Sequence, residues 1–217
     1  DILVCRSDRP LGKEIRQKLA LFCNVKPECI IENINMPSLY EIPLALEEEG
    51  LAEQTIKRLK LQCQQKDLSD WEEMVEKSKI VNKKAEVALV GKYTELHDAY
   101  ISVVEALKHA CIYHHSELHI NWIDSDEITE KNAGSILKNM DGILIPGGFG
   151  VRGTEGKINA ARYARENKIP FLGLCLGMQI AIVEFARHVC GMTDANSIEM
   201  NPNTQYPVID FLPGQSE

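Results

Sequence analysis

The sequence predicts an α/β protein, a doubly wound and mostly parallel sheet preceded by a partial α/β segment, and three observations carry that prediction. Short apolar runs alternate with segments whose apolar residues recur at helical spacing, as in parallel β-α-β units. Two of the runs, Gly142-Ile143-Leu144-Ile145 and Phe171-Leu172-Gly173-Leu174, are apolar throughout, as strands covered on both faces must be. Both run into glycine-rich turns, Pro146-Gly147-Gly148-Phe149-Gly150 and Gly173-Leu174-Cys175-Leu176-Gly177. In a doubly wound sheet such turns gather at the carboxyl ends of the strands.

Taken in order, the chain opens with strand, helix, strand, helix. Asp1 to Cys5 is a short apolar strand and Arg6 to Pro10 a polar turn. Leu11, Ile15, Leu19 and Phe22 share one helical face, and we expect that face to be buried. Cys29 to Ile34 reads as a second strand. Leu39 to Glu49 is a helix with Pro43 tolerated in its first turn and Gly50 as its stop. Two strands do not make a free-standing sheet core, so this first region, residues 1–61, is expected to be part of a larger domain. Residues 62–85 are polar and charge-rich and are read as a linker, with one helix at Leu68 to Lys79 presenting Leu68, Trp71 and Val75 on one side.

The second domain, 86–217, opens with the buried strand Glu86 to Gly91. A helix at His97 to Cys111 is expected to turn Ile101, Val104, Leu107 and Cys111 inward, and Glu117 to Ile123 is the next strand. A short helix at Asn132 to Asn139, a strand at Gly142 to Ile145, a helix at Thr154 to Asn167, a strand at Phe171 to Leu174 and a helix at Leu176 to Cys190 complete the pattern. Val208 to Leu212 begins a further apolar run.

Composition narrows the function. The 217 residues are 44% apolar with a net charge of −8 and no basic cluster of the kind that follows phosphates, which argues against nucleic acid as a partner. No apolar run approaches membrane-spanning length and residues 1–5 do not form a signal peptide, so a cytoplasmic protein without a membrane partner is expected. Seven cysteines, an odd number and none in a C-x-x-C pair, suggest neither a disulfide framework nor a zinc site. His109, His114, His115 and His119 lack acidic partners at ligand spacing and read as helix-end or surface residues. The start at Asp1 suggests a piece of a longer protein.

The chemistry sits at Cys175. Gly-x-Cys-x-Gly between an apolar strand and a helix is the cysteine counterpart of the Gly-x-Ser-x-Gly nucleophile elbow. The sharp turn forces its middle residue into a strained conformation, and the glycines remove side chains that would collide. The thiol is then offered at a helix N-terminus, where the dipole and free N–H groups favour an anion. The same pattern can serve strand-to-helix packing alone, with a buried thiol. The second glycine turn favours chemistry, because the N–H groups of Gly148 and Leu176 could together hold an oxyanion beside the sulfur.

These two turns, with Gly153-Thr154-Glu155-Gly156-Lys157, Ala164-Arg165-Glu166-Asn167-Lys168-Ile169-Pro170 and Asn196-Ser197-Ile198-Glu199, resemble the class I glutamine amidotransferase domain of the CTP synthase family. The resemblance covers nearly the whole chain. It implies that residues 1–61 end the amidoligase (synthetase) domain and that 86–217 are a glutamine amidotransferase domain incomplete at its C-terminus. It further implies that Cys175 is the glutamine-hydrolysing nucleophile, with Gly148, Leu176, Gly177, Met178, Gln179 and Glu199 contacting glutamine. Lys18 matches the position that contacts UTP or CTP, and Ile34, Asn35 and Met36 match the segment lying against the ATP adenine. The family uses ATP with Mg2+, whose ligands are not expected in this chain, takes GTP as an allosteric activator and assembles as a homotetramer.

Two parts of the family's machinery have no match here. Val90-Gly91-Lys92-Tyr93 lacks the phosphate-loop frame. No His-x-Glu pair follows Cys175, and His188 lies thirteen residues further along the elbow helix, about 20 Å away at the α-helical rise. The chain alone is therefore expected to turn over little or no glutamine. Another cysteine hydrolase, a DJ-1-like protein, or a non-catalytic assembly piece are the competing readings.

Overall fold

In the computed structural model, which describes residues 1–63, 66–212 and 214, the chain divides into two units, Asp1–Lys79 and Ile80–Glu217. The first is built on one parallel pair of strands. Strand β1 (Leu3–Ser7) lies beside β2 (Ile30–Ile34), with Leu3 opposite Ile30 and Ser7 opposite Ile34. Helix α1 (Lys13–Phe22) connects them, and Arg16 ties it to β2 by donating to the Ile30 carbonyl at 2.7 Å and to Glu32 at 2.6 Å. Helices α2 (Ile42–Glu48) and α3 (Leu51–Leu59) follow, separated by Gly50 at φ +82°, a conformation glycine adopts without strain. Helix α3 has no counterpart in the predicted elements. The buried set of this unit is small: Ala20, Cys29, Ile30, Ile31 and Val75.

The expected inner face of α1 is covered only in part, with Leu11 and Leu19 half-buried. Phe22 is 84% exposed and Ile15 50%, while Ala20 is the buried residue. A two-stranded sheet offers too little apolar surface to cover a whole helical face, so the larger side chains stay outside. Within the stretch 62–85, α4 (Ser69–Ser78) packs in this first unit, with Val75 buried and the Trp71 indole N–H donating to the Tyr40 carbonyl at 2.8 Å.

The second unit holds a four-stranded, all-parallel sheet in the order β4-β3-β5-β6. The strands are β3 (Lys83–Gly91), β4 (Ser116–Asp124), β5 (Gly142–Ile145) and β6 (Phe171–Gly173). Between them run α5 (Ile101–Tyr113), α6 (Ala133–Leu137) and α7 (Thr154–Asn167), and α8 (Leu176–His188) follows β6. The two-residue period of a strand distributes the apolar runs to both faces. Ala88, Val90, Ile143 and Ile145 pack with Ile158, Ile180 and Val183 of α7 and α8, whereas Leu89 and Leu144 pack with Tyr100, Val103 and Leu107 on the α5 side. Strands β7 (Asn196–Ser197) and β8 (Pro207–Ile209) form a separate small parallel pair. The doubly wound sheet is as expected.

Of the predicted inner face of α5, Leu107 packs against the sheet and Val104 and Cys111 are half-buried, but Ile101 is 57% exposed. The segment begins as a 3₁₀ turn, His97–Tyr100, and buries Tyr100 instead. A 3₁₀ turn advances 120° per residue rather than 100°, so at the start of the segment Tyr100 takes the inward place expected for Ile101.

Candidate active site

The strand order places the site. The chain runs from β3 outward to β4 on one side and returns to β5 on the other, so the switch point lies between the carboxyl ends of β3 and β5, where Gly91-Lys92 and Pro146-Gly147-Gly148 emerge. Strand β6 pairs with β5 as far as Ile145 opposite Gly173, and the Leu174 N–H donates to the Ile145 carbonyl at 2.9 Å. The turn that follows β6 is thereby set against the turn that follows β5.

Cys175 caps the N-terminus of α8 at φ +50°, ψ −105°, and is exposed. A side chain there is strained by about 1–3 kcal/mol. The surrounding turn enforces it: a Cβ on Gly177 would stand 2.1 Å from the Ile145 carbonyl oxygen, and one on Gly173 would stand 2.4 Å from backbone atoms of Gly177. The two glycine turns meet at the cysteine. The position of a Cβ on Gly147 is 3.5 Å from Cys175 Cβ, and on Gly148 it is 3.5 Å from Leu176 Cδ2. The amides of Gly177, Met178 and Gln179 donate back to Leu174 and Cys175, leaving the Leu176 amide as the first-turn donor of α8.

Of the other predicted glutamine contacts, Leu176 and Gly177 are buried and offer backbone alone. Gln179 and Glu199 line one cleft of about 750 Å³ together with Ser197, Ile198, Ile209 and Asp210. Met178 is not brought into that cleft. It is 55% exposed and joins Ile182 and Phe185 along an apolar groove on the outer side of α8. Glu199 already accepts the Gly150 N–H at 2.9 Å.

Three side chains escaped sequence reasoning. Lys92 Nζ donates to the Phe149 carbonyl at 2.6 Å and the Gly150 carbonyl at 3.0 Å, the Arg152 guanidinium donates to the Lys92 carbonyl at 2.7 Å, and the Tyr100 hydroxyl accepts the Lys92 N–H at 3.2 Å. Their signal was a lysine directly after a buried strand, at a place set by strand order rather than by any local motif. Burial and the Arg152 guanidinium pull the Lys92 ammonium below the ordinary lysine value, opposed in part by Asp126 and Glu199. His188, the last residue of α8, contacts Glu184 at 3.3 Å.

In the first unit Lys18 is exposed on α1. Ile34 ends β2, and Asn35 accepts from Arg6 at 2.5 Å and donates to Asp8 at 2.6 Å, with Met36 following. His119 lies between Glu86 and Glu117, and among the described residues no three His, Cys, Asp or Glu side chains converge as a metal site. Among the described residues no helix is long and apolar enough to cross a membrane.

Comparison with known proteins gives two family matches, Glutamine amidotransferase class-I over residues 95–208 and CTP synthase N-terminus over residues 1–61. Across all 217 residues the chain is 56% identical to CTP synthase of Caldanaerobacter subterraneus subsp. tengcongensis and 55% identical to that of Pelotomaculum thermopropionicum, covering 40% of each. It is 50% identical to CTP synthase of Clostridium acetobutylicum, covering 41% of it. The chain thus spans about 40% of the length of the curated relatives it matches. A solved structure of the Trypanosoma brucei CTPS glutaminase domain with bound acivicin aligns with a TM-score of 0.57 at 41% identity, covering 59% of this chain and 50% of that one.

Proposed function

Since this chain belongs to the glutamine amidotransferase class-I family, we propose that it carries the nucleophile of a glutamine-hydrolysing CTP synthase, with residues 1–61 the end of the amidoligase domain, 62–85 the connection and 86–217 the glutaminase part. The observation that carries this reading is the exposed Cys175, strained at the head of α8 and facing the Gly147-Gly148 turn.

In the proposed reaction the Cys175 sulfur attacks the side-chain amide carbon of L-glutamine. The developing oxyanion is met by the Gly148 and Leu176 amides, which are preorganised and cost no reorganisation. The C–N bond then breaks, ammonia leaves with the proton taken from the thiol, and a glutamyl thioester remains for water to hydrolyse. Gln179 and Glu199 hold the amino-acid end of the substrate, the Glu199 carboxylate facing its α-ammonium. In the parent enzyme ATP phosphorylates UTP at its 4-oxygen and leaves as ADP, and the ammonia then displaces that phosphate, giving CTP and phosphate. The proton-carrying base of such sites is a histidine, and His188 at the far end of a 13-residue helix is too distant to serve.

ATP, Mg2+, UTP or CTP, GTP and a homotetrameric assembly belong to the parent enzyme in this reading, as does a cytoplasmic location. The first unit fits only the edge of a nucleotide site. Asn35 is engaged by Arg6 and Asp8, so Ile34 and Met36 are what this segment offers an adenine, and the exposed Lys18 is the cation this reading assigns to UTP or CTP.

The test is alkylation by a chloroketone analogue of glutamine, in which the Cys175 sulfur displaces chloride, with adducts mapped by mass spectrometry. We expect Cys175 to be labelled first, excess L-glutamine to protect it, and Cys175→Ser to remove the label. Cys111 is a weak competitor because burial raises its thiol above the ordinary range. Preferential labelling of Cys23 or Cys111, or no protection by glutamine, would overturn the assignment.

A further inference from the structure

The turn between Gly147 and Gly150 has little to hold it by packing. Its one large side chain, Phe149, is 83% exposed, and Gly150 sits at φ +76°. Besides the Gly150 carbonyl, which accepts from Lys92 Nζ at 3.0 Å, its polar contacts fall on both ends of one peptide unit. The Phe149 carbonyl accepts from Lys92 Nζ at 2.6 Å, and the Gly150 N–H of that same peptide donates to Glu199 Oε1 at 2.9 Å. A cation at the oxygen end and a carboxylate at the N–H end align the peptide dipole between opposite charges, and hydrogen bonds to ions are roughly twice as strong as neutral ones. Lys92 is itself held by its backbone, through Tyr100 at its N–H and Arg152 at its carbonyl.

We infer that Lys92 is a positioning residue for the glutaminase site: its ammonium, working against Glu199, fixes the Phe149–Gly150 peptide and so restrains the short turn that carries the Gly148 amide, two peptides upstream, toward the oxyanion beside Cys175. The inference rests on the glutamine-hydrolysing reading above, and it assigns a role to the lysine that follows β3, a residue that touches neither sulfur nor substrate. Catalytic geometry of this kind tolerates little displacement, since an amide moved by about 1 Å loses about a hundredfold in rate.

The test compares wild type, Lys92→Met and Lys92→Arg in the rate of Cys175 modification by the glutamine chloroketone, separated into its saturation constant and limiting rate, and by iodoacetamide. Iodoacetamide needs the thiol alone. Lys92→Met is expected to lower the limiting rate with the chloroketone by about tenfold or more, leave its saturation constant within about twofold, and leave iodoacetamide unchanged, with Lys92→Arg recovering part of the loss. Equal limiting rates in wild type and Lys92→Met would overturn the inference while leaving the nucleophile assignment standing. Amide hydrogen exchange supplies a readout that needs no chemistry: Lys92→Met should accelerate exchange at Gly150 and leave α7 and α8 protected. Unchanged exchange at Gly150 would overturn the inference even if the chloroketone failed to label wild type, an outcome that would remove the glutaminase reading separately.

Discussion

Cys175 is held at φ +50° by contacts its neighbours cannot relax, and this turns two glycines into requirements of different strength. A Cβ at Gly177 would meet the Ile145 carbonyl oxygen at 2.1 Å, an atom fixed by its own hydrogen bond to Leu174, so Gly177→Ala must separate β5 from α8. We expect it to cost about 3 kcal/mol in urea unfolding and to slow chloroketone labelling of Cys175. At Gly148 the added Cβ would find only Leu176 Cδ2 at 3.5 Å, an ordinary contact, so Gly148→Ala should unfold within about 1 kcal/mol of wild type. A Gly148 variant as unstable as the Gly177 variant would contradict this account of the elbow. The elbow was legible in the sequence because what it demands is local: glycines two residues either side of a cysteine, between strand and helix. Lys92 was not legible, because its partners lie 57 and 58 residues away and are brought to it only by the pairing of β3 with β5.

At the scale of elements, sequence reading succeeded where burial is two-sided. Gly142–Ile145 and Thr154–Asn167 fall at their expected bounds because a central strand is a continuous apolar run and its crossover helix has one long covered face. It misjudged the first residue of α5, Ile101, whose inward place the preceding 3₁₀ turn gives to Tyr100, and α1, whose apolar face finds too little sheet to cover it. Between α7 and α8 the decisive contact is polar. Glu184 is 2% exposed and takes Arg165 Nε at 3.0 Å and its terminal nitrogen at 2.8 Å, a two-pronged pair that raises the arginine further above its ordinary value. Removing one partner of such a pair strands the other charge, whereas removing both does not. Arg165→Ala is therefore expected to lower stability by about 2 kcal/mol, tempered by the arginine's partial exposure and by His188 beside the same carboxylate. Adding Glu184→Leu should restore most of the loss. A double variant less stable than Arg165→Ala in urea unfolding would show that the carboxylate contributes through another partner.

Over the molecule as a whole the charge is negative, −8 at neutral pH, yet one of the few buried ions in the second unit is a cation. Lys157 is 2% exposed in the first turn of α7, where the helix dipole opposes positive charge. Burial, with Lys92 and Arg152 nearby and only Asp124 and Asp126 opposing, lowers its ammonium from the ordinary 10.5 to about 8. The sign of the linkage follows. Below pH 8 the side chain is protonated in both folded and unfolded chains, and the folded state bears the full cost of the buried charge. Between about 8 and 10.5 the unfolded chain still binds the proton that the folded one has released, so stability rises with pH through that window. The cost at neutral pH is on the order of 2 kcal/mol once residual screening is allowed for. Lys157→Met, which keeps the length of the side chain without its charge, is therefore expected to be the more stable protein at pH 7 by about that amount, with the advantage shrinking toward pH 10. Taking the difference between variant and wild type in urea unfolding at pH 7 and pH 9.5 cancels the titrations that both share. A difference that stays constant across those two pH values, or a variant less stable at pH 7, would mean that the Lys157 charge is satisfied in the fold and stabilises it.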